Sequence, residues 1–475
     1  MDFADFDYRT AAFFEWFQTR PGTQFSSLVK IVDLRSRGAG RGMVATRDIP
    51  KDTLLFEIPR NLIINTKTSE LRNRMPYLFP EDDGEDSSMD LDDVMKQDAW
   101  SSLMLVMMFE YFQGDASPWK PYLDILPESF ETPMFWSDSE LEELQASATL
   151  PKIGKENAEK MFQIKVLPVI RGYPDVFPLS QQRSDEDLVE LAHRMGSTIM
   201  AYAFDFENEN KQEDEEEEWV EDYEVGSTMG MVPMADILNA DAEFNVNVSY
   251  RDNSLAVITS RPIKAGEEVL NYYGPHPNSE LLRRYGYVTA KHSRYDVAEI
   301  PWSVLEGVVV AHLGLSTEQL AKAREHMDPD EKEDGFILER EYEEPNPEGK
   351  LLGQARFTEL SEDLLEQLKT FLKAVRKVDA SSMPDKRKRD EVQHAVLIKL
   401  MDALMSRYPT TILEDERLLS DTNLNERHRM AIAVRLGEKK LILEAKEFLF
   451  TAAAAAAAAD AGSDDHTTPH KRAKR

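Results

Sequence analysis

The chain has 475 residues, a net charge of −32 from 88 acidic and 56 basic residues, and no cysteine. Its length exceeds one ordinary core and calls for two domains, while the missing thiols exclude disulfides, thiolate zinc sites, iron–sulfur clusters and cysteine nucleophiles. Such a negative surface repels phosphate backbones and favours basic proteins over direct contact with nucleic acid, and no apolar run approaches the roughly 18 residues of a membrane span.

The N-terminal residues MDFADFDYRT are acidic and aromatic, unlike a secretory or import leader, and residues 1–25 are expected to form a helical segment of their own. From Ser26 to Asn65 short apolar runs alternate with turn residues, which predicts strands and hairpins around the glycine-rich bend RGAGRGM at 37–43. DAWSSLMLVMMFEYF is apolar almost all round, so it predicts a buried helix capped by Asp98. Helical texture continues through about Phe206 and forms an insert over about 95–225. Within that insert, 207–224 holds eleven acidic residues and one lysine; it reads as a solvated loop, and its field would also concentrate a basic substrate.

Strand texture returns with MGMVPMADILNADAEFNVNVSY. Further on, ITSRPIKAGEEVL echoes the earlier ATRDIPKDTLLF, with Arg261 matching Arg47 and Ile263 matching Ile49. The echo places both stretches in one β-rich domain, 26–295, with the helices inserted between them. Beyond Ile300, apolar residues at helical spacing predict an all-α domain over 300–450, with EREYEEPNPEGK as a loop and 451–475 as a disordered low-complexity tail. The class is therefore α+β. The nine histidines form no HExxH or H-x3-5-H pair, so no metal site is expected.

Four stretches could carry chemistry. RGAGRGM can expose backbone groups to a ligand, and Asn239 in ADILNAD can present an amide donor and acceptor together. NYYGP, 271–275, places Tyr272 and Tyr273 side by side; neighbours on a strand point to opposite faces, so at most one phenol serves a given site, and alternation does not say which. NSELLRRYGY reads as a short helix capped by Asn278 and stopped by Gly286, with Tyr285 on its last turn.

Taken in order, RGAGRGMVATRDIPKDTLLFEIP, VPMADILNAD, KAGEEVLNYYG and RRYGYV resemble the SET-domain protein-lysine methyltransferases, in the branch containing the Rubisco large-subunit enzyme. PMFW at 133–136 and AVRLGEKKLIL at 433–443 extend the resemblance to the C-terminal helices. The acidic insert and the AYAF at 201–204 are similar to the SETD-six-like and fungal ribosomal lysine methyltransferases. The resemblance implies a SET domain followed by a helical substrate-binding domain, with S-adenosyl-L-methionine as cofactor. It implies backbone at Ala39, Gly40 and Arg41, together with Asn239, Ala240 and Tyr285, as cofactor contacts. Trp100, Tyr202 and Asp236 match positions on the substrate side, and Tyr273 matches the phenol at the point of methyl transfer. Most SET domains have Asn-His where this chain has Asn239-Ala240, which is harmless if the second residue acts through its backbone. The expected substrate is a basic protein, by analogy a ribosomal one, and the runs KRKR at 386–389 and KRAKR at 471–475 suggest the nucleus. A non-catalytic binding module, or a methyltransferase acting on a histone or a histidine, are the rival readings.

Overall fold

The computed structural model describes residues 3–79, 98–206, 228–328, 332–383 and 385–463. The acidic stretch 207–224 and the final KRAKR lie outside them. Helix α1 (Phe3–Gln18) buries Phe13, Trp16 and Phe17 in the first core, so the N-terminal segment is part of the β-rich domain. That domain's main sheet is antiparallel, in the order β1 (Gln24–Phe25), β4 (Leu54–Pro59), β9 (Ser254–Thr259), β8 (Val246–Tyr250). Beside it, β2 (Val29–Asp33) and β3 (Arg41–Ala45) form a hairpin closed by the glycine-rich bend, in which Gly38 and Gly40 take φ of 77° and 62°.

The two echoing segments pair with each other. Ile49 and Ile263 exchange backbone hydrogen bonds of 2.8 and 2.9 Å, and Asp48 accepts from both Lys264 Nζ and the Ala265 N–H. The similarity in sequence is thus the two halves of one contact, and it brings residues near 45 against residues near 265.

Between the halves stand α2 (Ala99–Gln113) and α3 (Asp185–Tyr202). The Asp98 carboxylate accepts from Ser101 N at 2.7 Å, the N-cap expected there, and α2 is buried from Ser101 to Glu110. The helical insert ends earlier than its texture suggests: β5 (Ala203–Phe206) pairs antiparallel with β6 (Thr228–Met231), because a distant partner outweighs local preference.

Helix α4 (Asn278–Tyr285) starts at Asn278 itself, with Pro277 in the capping position. The Asn278 amide instead donates to Asp296 Oδ1 at 3.1 Å and accepts from Thr289 N at 2.8 Å, so it pins the loop that follows the helix.

The C-terminal domain is built on α5 (Trp302–Leu313), α6 (Glu362–Val378), α7 (Lys386–Ser406), α8 (Ile412–Leu419) and α9 (Glu426–Ser463). On α6, Leu364, Leu368, Phe371 and Val375 recur at helical spacing and are buried, each contributing about 1.5–3 kcal/mol of hydrophobic stabilisation. Two short two-stranded antiparallel sheets accompany the helices. Glu341–Glu343 pairs with Leu352–Arg356, so the charged stretch expected as a loop, 339–350, supplies the first strand and the turn of a hairpin. The last helix runs on through the eight alanines to Ser463, because alanine is the best helix former and extends a helix already nucleated.

Candidate active site

The glycine-rich bend opens onto a cavity of about 370 Å³ bordered by Ala39, Gly40, Arg41, Tyr202, Asp236 and Asn239. Six of the residues singled out in the sequence therefore converge, from three separate stretches. Arg41 is fixed from α1 and from the insert: Nε donates to Thr10 Oγ1 at 2.9 Å and Nη1 to the Ile125 carbonyl at 2.8 Å. Phe6 of α1 lies between two guanidiniums, Arg35 and Arg41, each 4.0 Å from its ring. Burial, then the neighbouring Arg35 and Arg9 charges, pushes the Arg41 pKa down to about 10. Phe6 and the 125–129 segment complete the wall. No motif marked them, because they reach the cavity through tertiary packing alone.

Asn239 is held by both of its amide hydrogens. Nδ2 donates to the Arg41 carbonyl at 3.3 Å and to Glu268 Oε1 at 2.8 Å, which leaves Oδ1 as its acceptor. The approach requires a glycine at 42, where a Cβ would stand 2.4 Å from Leu34 Cδ1 and 2.9 Å from Asn239 Nδ2. Gly42→Ala should therefore displace Asn239 and destabilise the fold by the roughly 1–3 kcal/mol typical of overpacking. A thermal melt of the variant checks this; an unchanged midpoint would show that Leu34 yields freely. Ala240 pairs with Asn271 in the short parallel ladder of β7 (Asn239–Ala240) and β10 (Leu270–Asn271).

Asp236 sits on a single 3-10 turn, Ala235–Ile237, entered through Met234 at φ 84°. A positive φ at a methionine is costly and persists only where packing imposes it; here it turns Asp236 into the cavity. One carboxylate oxygen accepts from the Tyr122 hydroxyl, and the other, Oδ1, is buried without a partner among the described residues. Burial lifts the Asp236 pKa to about 7, although the Tyr122 hydroxyl and nearby backbone N–H groups pull the other way. Burial, and next the Asp236 charge, likewise raises Tyr202 to about 12.

Tyr273 stands beside this cavity. Its hydroxyl donates to the Leu238 carbonyl at 3.1 Å, and its ring stacks on Tyr285 with centroids 4.7 Å apart. Burial, then the neighbouring phenols Tyr287, Tyr285 and Tyr202 and the Asp236 carboxylate, holds its pKa well above the usual value, so the phenol stays protonated. Tyr272 points the other way, stacking on Phe244 at 4.9 Å and donating to Glu344 at 3.2 Å. Trp100 is not brought to the cavity; it stacks on Phe162 at 6.2 Å and packs against Gly196 of α3.

Comparison with known proteins gives this arrangement a family. A model of the SET domain matches residues 40–274, and one described as Rubisco LSMT substrate-binding matches 304–442. Ribosomal lysine N-methyltransferase 4 of Saccharomyces cerevisiae is 35% identical over 317 residues, 65% of this chain and 60% of that protein. The N-lysine methyltransferase SETD6 of Homo sapiens is 29% identical over 447 residues, 86% of this chain and 84% of the relative. A crystal structure of the SET domain of LSMT bound to lysine and AdoHcy shares the fold, with a TM-score of 0.62 at 20% identity, covering 94% of this chain and 91% of that one. Two matched domains in sequence and an overlapping fold along most of the chain agree: it belongs to the SET-domain family, with a Rubisco LSMT-type substrate-binding domain following the SET domain.

Proposed function

We propose that the protein transfers a methyl group from S-adenosylmethionine to a lysine side chain of a protein, with a basic ribosomal protein as substrate. The observation that carries this reading is the placement of the Tyr273 hydroxyl beside a cavity bordered by Gly40, Arg41 and Asn239. Two relatives are named as lysine methyltransferases, one of them ribosomal, and structures of the same fold are described as bound to lysine with AdoHcy and to AdoMet.

The residues present fit the cofactor. Asn239 Oδ1 is left to accept from an ammonium group, the unpartnered Asp236 Oδ1 favours a nearby cation, and the bend offers backbone groups. When bound, S-adenosylmethionine supplies an electrophilic methyl on a sulfonium centre. The chain's task is to align the amine with that methyl and exclude water. The amine must be neutral; with a lysine pKa near 10.4, holding it so at neutral pH costs about 4 kcal/mol unless the site lowers that value. The phenols Tyr273, Tyr285 and Tyr287, packed on one another with Tyr202 close by, disfavour ammonium by desolvation, and the Tyr273 oxygen orients the amine.

Asp236 makes the proposal pH-sensitive. With its pKa near 7 it gains a negative charge beside the cavity as pH rises through neutrality. Affinity for the cationic cofactor should strengthen from about pH 6 to about pH 8, and Asp236→Asn should flatten that dependence. Calorimetric titration across the range decides it; a variant with the wild-type slope would assign the effect elsewhere.

The direct test of function is incubation with labelled S-adenosylmethionine and an extract from cells lacking the protein, followed by mass spectrometry. A methylated lysine on a small basic ribosomal protein is expected, and label on a histidine or on no protein would overturn the reading. The nucleus is the proposed location. Of the two basic runs, Lys386–Arg389 forms the first turn of α7, with Arg387 and Lys388 against Glu391. KRAKR at 471–475 is therefore the segment on which that proposal rests.

A further inference from the structure

Helix α3 buries Leu188, Leu191, Met195 and Ile199 on one side and presents a second face to a groove. Glu186, Val189, Glu190 and His193 lie on that face, at the i, i+3, i+4, i+7 spacing of a helix. The groove has a volume of about 630 Å³, and Glu159, Leu167 and Met134 line it together with that face. Met134 also borders a narrower recess with Ser197 and Met200, further along the same helix. Two residues beyond Met200 the helix ends at Tyr202, on the wall of the active-site cavity. One helix thus lines both the groove and the active-site cavity.

The charge of the groove is one-sided. Glu159, Asp185, Glu186 and Glu190 line it against a single cation, Lys155. Asp185 is neutralised by Arg171 at 2.6 Å, but Glu186 and Glu190 are exposed and have no ion pair among the described residues. His193 lies 3.3 Å from Glu159, and burial holds its pKa below the ordinary value, so at neutral pH it does not balance that carboxylate. Between the acids, Val189, Leu167 and Met134 supply a half-buried apolar floor, and Ile164 is 56% exposed nearby. Carboxylates flanking an apolar floor complement a segment that carries cations and apolar side chains together.

We propose that this groove docks a basic amphipathic segment of the protein substrate, at a distance from the target lysine, and so selects the substrate by more than the lysine itself. The proposal rests on the methyltransferase reading and names the chemistry of its partner. The test uses the full chain and a fluorescent peptide of alternating lysine and leucine, with a glutamate–leucine peptide as control, followed by anisotropy. The Glu186→Lys/Glu190→Lys double variant should weaken binding of the basic peptide by about tenfold or more, and added salt should weaken the wild type in parallel. Glu325→Lys/Glu359→Lys makes the same net-charge change on exposed residues of the helical domain and should leave binding nearly intact. Val189→Ser should weaken it without altering the salt dependence.

Equal loss in both double variants would reduce the effect to the overall field and overturn the groove, as would unchanged binding in the α3 variant. Peptide binding at the groove without methylation of any protein would refute the enzymatic reading and leave the docking site standing. Methylation with an unaltered KM for the protein substrate in the α3 variant would do the reverse. Thermal melts of each variant separate loss of binding from loss of fold.

Discussion

Tyr273→Phe is expected to reduce methyl transfer by about 10²–10³-fold, the scale seen when one directed donor at a reacting centre is removed, while the protein stays folded and binds S-adenosylmethionine as before. The ring is held independently of the hydroxyl, by stacking on Tyr285 at 4.7 Å, so phenylalanine keeps the packing. What is lost is one O–H, protonated throughout the working range and fixed by a 3.1 Å hydrogen bond to the Leu238 carbonyl. A phenol so held can orient an amine, and a ring without it cannot. Tyr272→Phe is the matched control, since its hydroxyl faces Glu344, at 3.2 Å, and Tyr295, and its ring keeps Phe244; turnover should stay within about twofold of wild type, as for a surface hydrogen bond. Initial rates with labelled cofactor, with calorimetry for binding, measure both. Equal damage from the two substitutions would remove Tyr273 from its assigned place.

The doublet also shows where sequence reasoning stops. Strand alternation divides Tyr272 from Tyr273 but cannot orient the strand, because that depends on the parallel pairing of Leu270 with Asn239 and Asn271 with Ala240. Local signals were legible: the Asp98 cap acts three residues along the chain, and the glycine-rich bend closes its own hairpin. Asn278 resembled a cap by the same logic and is not one, since its partners Asp296 and Thr289 lie beyond the helix. Tyr122 meets Asp236 across 114 residues, and Phe6 enters the cavity wall from α1; neither carries a mark of that in its neighbourhood. The repeat of ATRDIP in TSRPIK was visible, whereas the pairing of the two copies with each other needed the fold.

Asp415→Ala should cost about 3–5 kcal/mol, the penalty for stranding buried charges, and loosen the helical domain from the SET domain. Asp415 on α8 is fully buried and faces Arg435 and Lys439 of α9, both fully buried as well. Arg435 reaches onward to the Glu143 carboxylate of the insert at 2.9 Å, so one guanidinium ties α8, α9 and the SET insert together. Beside it Trp136, Leu144, Leu282, Met430 and Val434 form an apolar cluster across the same junction, and Gly437 lets α9 pass Asp296, whose Oδ2 would lie 2.2 Å from a Cβ there. Burial alone would raise the Asp415 pKa, but the Arg435 and Lys439 hydrogen bonds hold it below the ordinary value. Its contribution is therefore present above the unfolded pKa of about 3.9 and lost as pH falls through the lower folded value. Glu438 on the same helix has the opposite sign. Burial, partly offset by the Ser147 and Tyr408 hydroxyls, lifts it to about 7, so stability declines as pH rises from about 4 towards 7 and levels off above. Thermal unfolding across pH separates the two: Asp415→Ala should lower the midpoint throughout the neutral range, and Glu438→Gln should flatten the decline between about pH 4 and about pH 7. Replacing Asp415, Arg435 and Lys439 together by apolar residues of similar size should recover much of the loss, because the penalty lies in the unpaired charges. If the triple variant were no better than Asp415→Ala, the ion pairs themselves would be the stabilising element of the junction.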